Sequence, residues 1–364
     1  MTMHCLHVVG ARPNFMKAAP VMAALDCRSG MSQTLVHTGQ HYDANMSEVF
    51  FEELGMPRPD VNLGVGSGSH ARQTGEVMIR IEPVLMGGKP DWVIVYGDIN
   101  STAAATITAA KLGMRVAHVE AGLRSFDRSM PEELNRLITD RLATLLLTPS
   151  VDGDENLIRE GVDRAQIRLV GNVMIDTLLR LLPRAETLWP ALRTQLYLGE
   201  SSPYALITLH RPANVDDADM LRTLVDALGE IARDIPCIFP LHPRTQRRME
   251  ELGIQAGKGL VLIGPQGYLE FLALERHATV VITDSGGIQE ETTCLGVPCL
   301  TLRDNTERPI TVSLGTNTLV GRDVNLLKKE VTAVLNGGGK RGRVPPLWDG
   351  NAGERIAQTL VEWQ

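Results

Sequence analysis

Short apolar runs alternate along this chain with longer stretches whose apolar positions recur every three to four residues. In the first half the runs are "LHVVG" from Leu6, "TLVHTG" from Thr34, "WVIVYGD" from Trp92, "RVAHVE" from Arg115 and "LATLLLTPS" from Leu142. The pattern restarts with "YALITLH" from Tyr204, "CIFPLH" from Cys237, "LVLIG" from Leu260, "TVVITDSGG" from Thr279 and "PCLTLRD" from Pro298. Runs that are apolar throughout, rather than alternating, describe strands buried on both faces. Stretches such as Asn14 to Leu25 and Thr102 to Leu112 supply covering helices, and the alternation predicts parallel sheets. The expected fold class is therefore α/β, with two doubly wound domains facing a cleft. Their expected extents are residues 1–170 and 171–349, divided where "VMIDTLLRLL" opens a helix. Thr187 to Pro203 reads as a surface excursion, and the amphipathic tail, about 350–364, could return to either domain, the first included.

A length of 364 residues suits two domains with large cores. The net charge of −7 argues against a nucleic-acid surface, since phosphate binding wants a basic face. An anionic small molecule stays open, because a few arginines make a cleft locally positive. No apolar run approaches the roughly 20 residues of a membrane span, and the first ten residues lack the layout of a signal peptide. Five cysteines without CxxC spacing read as reduced thiols in a cytoplasmic protein.

In open α/β sheets, ligands bind at the carboxyl ends of the strands. Here those ends carry "GARPNFMK", "YGDINST", "HVEAGLRS", "TLHRPAN", "PLHPRTQ" and "ITDSGGIQEE". Arg12 and Lys17 flank a helix start with Pro13 at its first position, which reads as a diphosphate clamp or as a solvated first turn. Asp98 and Glu120 end apparently adjacent strands, and "PEELNR" adds Glu132, Glu133 and Arg136. Carboxylates gathered together push one another's pKa values apart, which suits acid/base chemistry. Asp98 reads equally well as a cap for the helix from Ser101, and one of Glu132 and Glu133 as a first-turn acid. In "TDSGGIQEE", Gly286 and Gly287 would let backbone approach an anion at a helix N-terminus, while Asp284 or Ser285 capping that helix is the plainer alternative. Glu291 could accept both hydroxyls of a ribose. His210 follows its strand at the same edge, and His242 with Arg244 is a weaker candidate. "GVGSGS" lacks the feeding strand and last glycine of a dinucleotide loop, "GGGKRG" is not a P-loop, and no metal-ligand spacing or GxSxG elbow occurs.

Taken in order, "GARPNFMKAAPV", "TGQHYDANMS", "YGDINST", "HVEAGLRS", "PEELNR", "GNVMIDTL", "LHRPANVD", "TDSGGIQEE" and "RDNTERP" resemble the non-hydrolysing UDP-N-acetylglucosamine 2-epimerase family nearly end to end. The resemblance implies two Rossmann-like domains in a glycosyltransferase-B-like arrangement, a homodimer, and no redox cofactor or metal. It implies C2 epimerisation of a UDP-2-acetamido sugar, UDP-N-acetylglucosamine to UDP-N-acetylmannosamine, by anti elimination of UDP and re-addition through a 2-acetamidoglucal. Asp98, Glu120 and Glu132 would then be acid/base residues, with His210 among the catalytic groups. Arg12, Lys17 and His210 would supply cations to the leaving UDP, and Arg136 would orient Glu132. Ser285, Gly286, Gly287 and Glu291 would hold diphosphate and ribose, with His242 beside them. Gln40, His41 and Gln73 match a second, activating UDP-sugar site.

The chain departs from the family where Pro212 and Ala213 follow "HR", where the segment from Glu120 to Glu132 is short, and where "EETTCLG" replaces the usual alanine after the paired glutamates. A sister branch that epimerises UDP-2,3-diacetamido-2,3-dideoxyglucuronic acid shares "HTGQHYDANMSE" and "MPEE". A glycosyltransferase and an inactive UDP-sugar binding protein are the readings from other classes. Clustered acids suit proton transfer better than either.

Overall fold

Every apolar run quoted above becomes a strand in the computed structural model, which describes residues 2–40, 51–200 and 202–363. The first seven strands are β1 (Met3–Val9), β2 (Met31–His37), β3 (Val61–Asn62), β4 (Trp92–Tyr96), β5 (Val116–Val119), β6 (Leu145–Thr148) and β7 (Ile167–Leu169). They form one parallel sheet in the order β3-β2-β1-β4-β5-β6-β7. The second sheet, also parallel, is β10-β9-β8-β11-β12-β13, from β8 (Ala205–Thr208), β9 (Cys237–Pro240), β10 (Leu260–Ile263), β11 (Val280–Thr283), β12 (Cys299–Thr301) and β13 (Asn317–Leu319). Both sheets reverse strand order at one place, β1 against β4 and β8 against β11. Such a switch point opens a crevice at the strand ends, which is where ligands bind.

The chain divides into two compact units, residues 1–177 with 346–364, and residues 178–345. The division falls inside the helix Val173–Gln195. That helix continues through Pro183 and Pro190, where a surface excursion from Thr187 was expected. Each proline removes a helical hydrogen bond, but packing decides the outcome: Trp189 stacks on His277 with ring centroids 4.3 Å apart and lies 6.0 Å from Tyr204. The tail helix Ala352–Glu362 belongs to the first unit. Asp176 accepts the amides of Ala352 and Gly353, and a Cβ on Gly353 would lie 2.6 Å from the Pro20 carbonyl oxygen.

The helix Pro131–Leu142 reverses the usual amphipathic rule. Glu133, Arg136, Thr139 and Asp140 are its buried residues, while Leu134, Ile138 and Leu142 stand exposed. A polar inner face this close to the ends of β4 and β5 signals a site rather than a core. All five cysteines are free; burial, with smaller contributions at individual thiols, pushes Cys5, Cys237 and Cys299 up to about 12, so they are inert as nucleophiles. Among the described residues no helix is long and apolar enough to cross a membrane.

Candidate active site

In the first unit, three strand ends converge on a buried ion pair. The helix Arg12–Asp26 starts directly after β1, with Arg12 half-buried at its N-terminus and Lys17 buried further in. Asn14 sets its position: the side-chain oxygen accepts the Gly10 and Ala11 amides at 3.2 Å, and its Nδ2 donates to the Tyr96 carbonyl at 2.8 Å. Lys17 pairs with Glu120, the first residue past β5, and both side chains are almost fully enclosed. Gly97 makes room for them, since a Cβ there would lie 2.8 Å from Lys17 Nζ and 3.1 Å from Glu120 Oε2. Glu120 itself has φ +73°, a left-handed backbone that costs a residue with a side chain about 1 kcal/mol or more.

Asp98 is partly exposed and pairs with Arg136 at 2.5 Å, so the capping alternative is out; the N-cap of the next helix is Ile99, without a side-chain cap. Arg136 also binds Glu133 through Nε and Nη2, at 3.0 and 2.5 Å. The arginine expected to orient Glu132 thus holds Asp98 and Glu133 instead. Glu133 accepts the Ser125 and Phe126 amides at 3.0 Å, which ties down the loop after β5. Burial raises its pKa, but these hydrogen bonds and Arg136 outweigh burial and leave it below the usual value. Glu132 is half-buried and has no ion-pair partner among the described residues, which leaves its carboxylate available to a ligand.

Two second-site candidates lie near this cluster. Gln40 accepts from the Ser101 amide and hydroxyl at 3.1 and 2.8 Å, and Gln73 donates to the Gln40 carbonyl at 3.4 Å. Asn100 joins Gln73 at 2.9 Å, and Asn135 joins Asn100 at 3.3 Å and the Asp98 carbonyl at 2.9 Å. His41, the third candidate, lies outside the described residues.

In the second unit, His210 stands two residues past the end of β8 and Asp284 directly after β11. Asp284 does not cap the helix Gly286–Leu295, whose N-cap Ser285 makes no side-chain cap. It turns to the neighbouring strand end, accepting the His210 and Arg211 amides at 3.1 and 2.9 Å and the Asn214 amide group at 3.1 Å, with His210 Nδ1 at 3.0 Å. Burial pushes this carboxyl up, but His210, Arg211 and Asn214 together hold it below 3.8. His242 is exposed and caps its own helix by accepting the Arg244 amide at 3.2 Å. Its ring lies 6.0 Å from that of His210, and burial, followed by the charges of His210 and Arg244, lowers its pKa.

The two glycines differ. A Cβ on Gly286 would meet Arg308 Nη1 at 2.5 Å and Glu307 Oε1 at 2.7 Å, so its bareness admits the ion pairs of "TERP". Gly287 has nothing within 4 Å and is the one open to a ligand. Arg308 braces the helix by pairing with Glu290 at 3.0 Å. Tyr268 donates to Glu291 at 2.8 Å. Behind it Glu275 is fully buried; burial and then the Glu291 charge push its carboxyl well above the usual range. Among the described residues no group of three or more His, Cys, Asp or Glu is arranged to hold a metal ion.

Sequence reasoning missed Asn14, Glu133 as an anchor, Asp284 as the brace of His210, and Asp140. The first signals itself weakly, as an asparagine, a poor helix former, in the first helical turn past a strand end. Asp284→Asn is expected to cost about 2 kcal/mol at pH 7, the penalty for weakening several hydrogen bonds to one buried charge. Because its folded pKa is lowered, the carboxylate stabilises the fold above 3.8 and loses that effect as pH falls through the folded value. Urea unfolding of parent and variant at pH 7 and pH 3 should therefore show a gap that narrows in acid. A gap independent of pH would mean that shape, not charge, holds the His210 turn.

The profile of a family described as UDP-N-acetylglucosamine 2-epimerase matches residues 23–361. A UDP-N-acetylglucosamine 2-epimerase of Methanocaldococcus jannaschii is 45% identical over 360 residues, 97% of this chain and 98% of that protein. A UDP-2,3-diacetamido-2,3-dideoxy-D-glucuronate 2-epimerase of Pseudomonas aeruginosa is 41% identical over 367 residues, covering 99% of this chain and all of that one. The crystal structure of Methanocaldococcus jannaschii UDP-GlcNAc 2-epimerase in complex with UDP-GlcNAc and UDP superposes with a TM-score of 0.91 at 44% identity, covering 99% of both chains.

Proposed function

The chain belongs to the UDP-N-acetylglucosamine 2-epimerase family, and from that premise we propose that it interconverts UDP-N-acetylglucosamine and UDP-N-acetylmannosamine. The observation that carries this reading is the buried Lys17–Glu120 pair at the β1/β4 switch point, with Asp98 and Glu132 on the neighbouring turns. Inverting C2 needs proton transfer on both faces of the sugar ring, hence more than one carboxylate. One carboxylate, acting as base, removes the C2 proton; the C–H electron pair forms the C1=C2 bond as the C1–oxygen bond to UDP breaks, leaving a 2-acetamidoglucal. A second acid returns a proton to the opposite face of C2, and UDP adds back at C1.

The roles divide by chemistry. Asp98, Glu120 and Glu132 form the acid/base set; coupled acids titrate as a group, so the base in each direction belongs to the set. Arg12, Lys17 and His210 offset the charge that builds on departing UDP. The amides of Ser285, Gly286 and Gly287 open a helix N-terminus, which favours diphosphate. Glu291 takes the ribose hydroxyls, and His242 lies at the edge of that set. A second UDP-sugar at Gln40, His41 and Gln73 acts as activator.

The partner of this reading is a second copy of the chain. The exposed stripe Leu134, Ile138 and Leu142, with Ile79 and Met86 on the helix His70–Gly88, is the apolar surface that supports it, and sedimentation at twice the mass of one chain is the check. Buried reduced thiols support a cytoplasmic setting. Proton NMR with each of two UDP-sugars tests the substrate. UDP-N-acetylglucosamine should give the manno epimer, and UDP-2,3-diacetamido-2,3-dideoxyglucuronic acid should remain unchanged. Conversion of the second alone reassigns the substrate to the branch of the Pseudomonas aeruginosa relative, and conversion of neither contradicts the reading.

A further inference from the structure

Asp140 is fully enclosed on the inner face of the helix Pro131–Leu142, and it gathers contacts from the strand and loop that carry Glu120. Its Oδ1 lies 2.6 Å from His118 Nδ1, within β5. Its Oδ2 accepts the Gly122 amide at 3.1 Å and Arg124 Nη1 at 2.7 Å. His118 Nε2 in turn lies 2.8 Å from the Gly97 carbonyl oxygen, in the turn after β4. One carboxylate therefore fixes the chain two residues before Glu120 and two residues after it. Through His118 it also fixes the glycine against which Lys17 and Glu120 meet.

That placement answers a local difficulty. A non-glycine residue at φ +73° does not hold its conformation by itself; the surroundings must impose it. Both Glu120 and Ala121 donate their amides to the same Leu147 carbonyl, at 3.0 and 3.1 Å, which bends the chain, and Asn156 Nδ2 holds the Gly122 carbonyl at 3.0 Å. The Gly122 amide bound to Asp140 ties the same residue to the carboxylate that holds His118, so both sides of Glu120 share one anchor. Burial pushes Asp140 up, yet the charges and hydrogen bonds of His118 and Arg124 outweigh it and keep the carboxyl below the usual range, so it serves all its donors as a carboxylate.

We propose that Asp140 is a positioning residue for the epimerisation, holding Glu120 in its left-handed turn through His118, Gly122 and Arg124. The proposal rests on the reading of Glu120 as an acid/base group. A buried charge that served only the fold would change stability without a selective effect on turnover, so the two are separable.

The test is Asp140→Asn, which keeps size but turns an NH2 group toward one of the donors. Misplacing a reacting group by a fraction of an ångström should lower kcat by about 100-fold while KM stays within about threefold. Deuterium entry at C2 should fall with kcat, and UDP binding measured by calorimetry should persist. Glu160→Gln is the control: Glu160 is one-third exposed and meets Arg124 from outside, so the change should leave kcat within about twofold. A parental kcat in Asp140→Asn, or a loss that merely tracks the folded fraction, overturns the proposal. Should Asp140→Asn not accumulate folded, His118→Gln carries the same test with the same expectation, and a parental kcat there overturns it. Inactive parent protein would instead overturn the function proposed above.

Discussion

Glu120→Gln should lower kcat by about 10³-fold and leave UDP affinity within about threefold, the signature of an interaction used only in the transition state. The expectation follows from where the residue stands. Glu120 is placed by a strained backbone, almost fully enclosed, and paired with Lys17 rather than solvated. The amide occupies the same volume but neither accepts nor returns a proton. Ser285, Gly286, Gly287 and Glu291, expected to hold diphosphate and ribose, belong to the second unit and are untouched by the substitution, so binding should survive. Leaving Lys17 without its carboxylate costs stability, and a urea titration beside the kinetics separates that loss from the loss of chemistry. Turnover equal to the parent's would remove Glu120 from the acid/base set.

The second large effect is on folding. Gly122 has φ +81°, and a Cβ there would sit 2.5 Å from the Gly153 carbonyl oxygen and 2.8 Å from the Gly153 carbonyl carbon and Cα. Those are backbone atoms at a helix start, with no flexible end to move aside. Gly122→Ala should cost about 1 kcal/mol for the left-handed backbone and 1–3 kcal/mol for overpacking, about 2–4 kcal/mol in all. Gly113→Ala separates the two contributions: its φ is +71° but nothing lies within 4 Å, so about 1 kcal/mol is expected. Equal shifts in urea midpoint for the two variants would contradict the close approach at Gly122.

Strands with uniformly apolar runs were legible because their pattern and their burial share one cause, helices on both faces of a parallel sheet. β3, β7 and β13 escaped notice because two or three residues carry no pattern. The helix through Pro183 and Pro190 was misread at its end because the stacking of Trp189 on His277 acts across sequence. The same divide runs through the site. Asp98, Glu120, His210 and Glu291 announce themselves as titratable residues at strand ends or just inside a helix. What each one touches was hidden, since Arg136 reaches Asp98 and Glu133 rather than Glu132, and Asp284 reaches across to His210 rather than capping its helix. Asp140 left one trace: with Glu133 and Arg136 it sits at helical spacing on the face opposite Leu134, Ile138 and Leu142, so one face of that helix had to be buried against its composition.

The measurement that bears most directly on the proposed chemistry is incubation of the protein with UDP-N-acetylglucosamine in deuterated water, read by proton NMR. Loss of the C2 proton through acid/base groups that exchange with solvent predicts deuterium at C2 of the UDP-N-acetylmannosamine formed. Because the reaction is reversible, the recovered UDP-N-acetylglucosamine should carry it too. Epimer formed with its original C2 proton intact would contradict the mechanism and the role given to Asp98, Glu120 and Glu132.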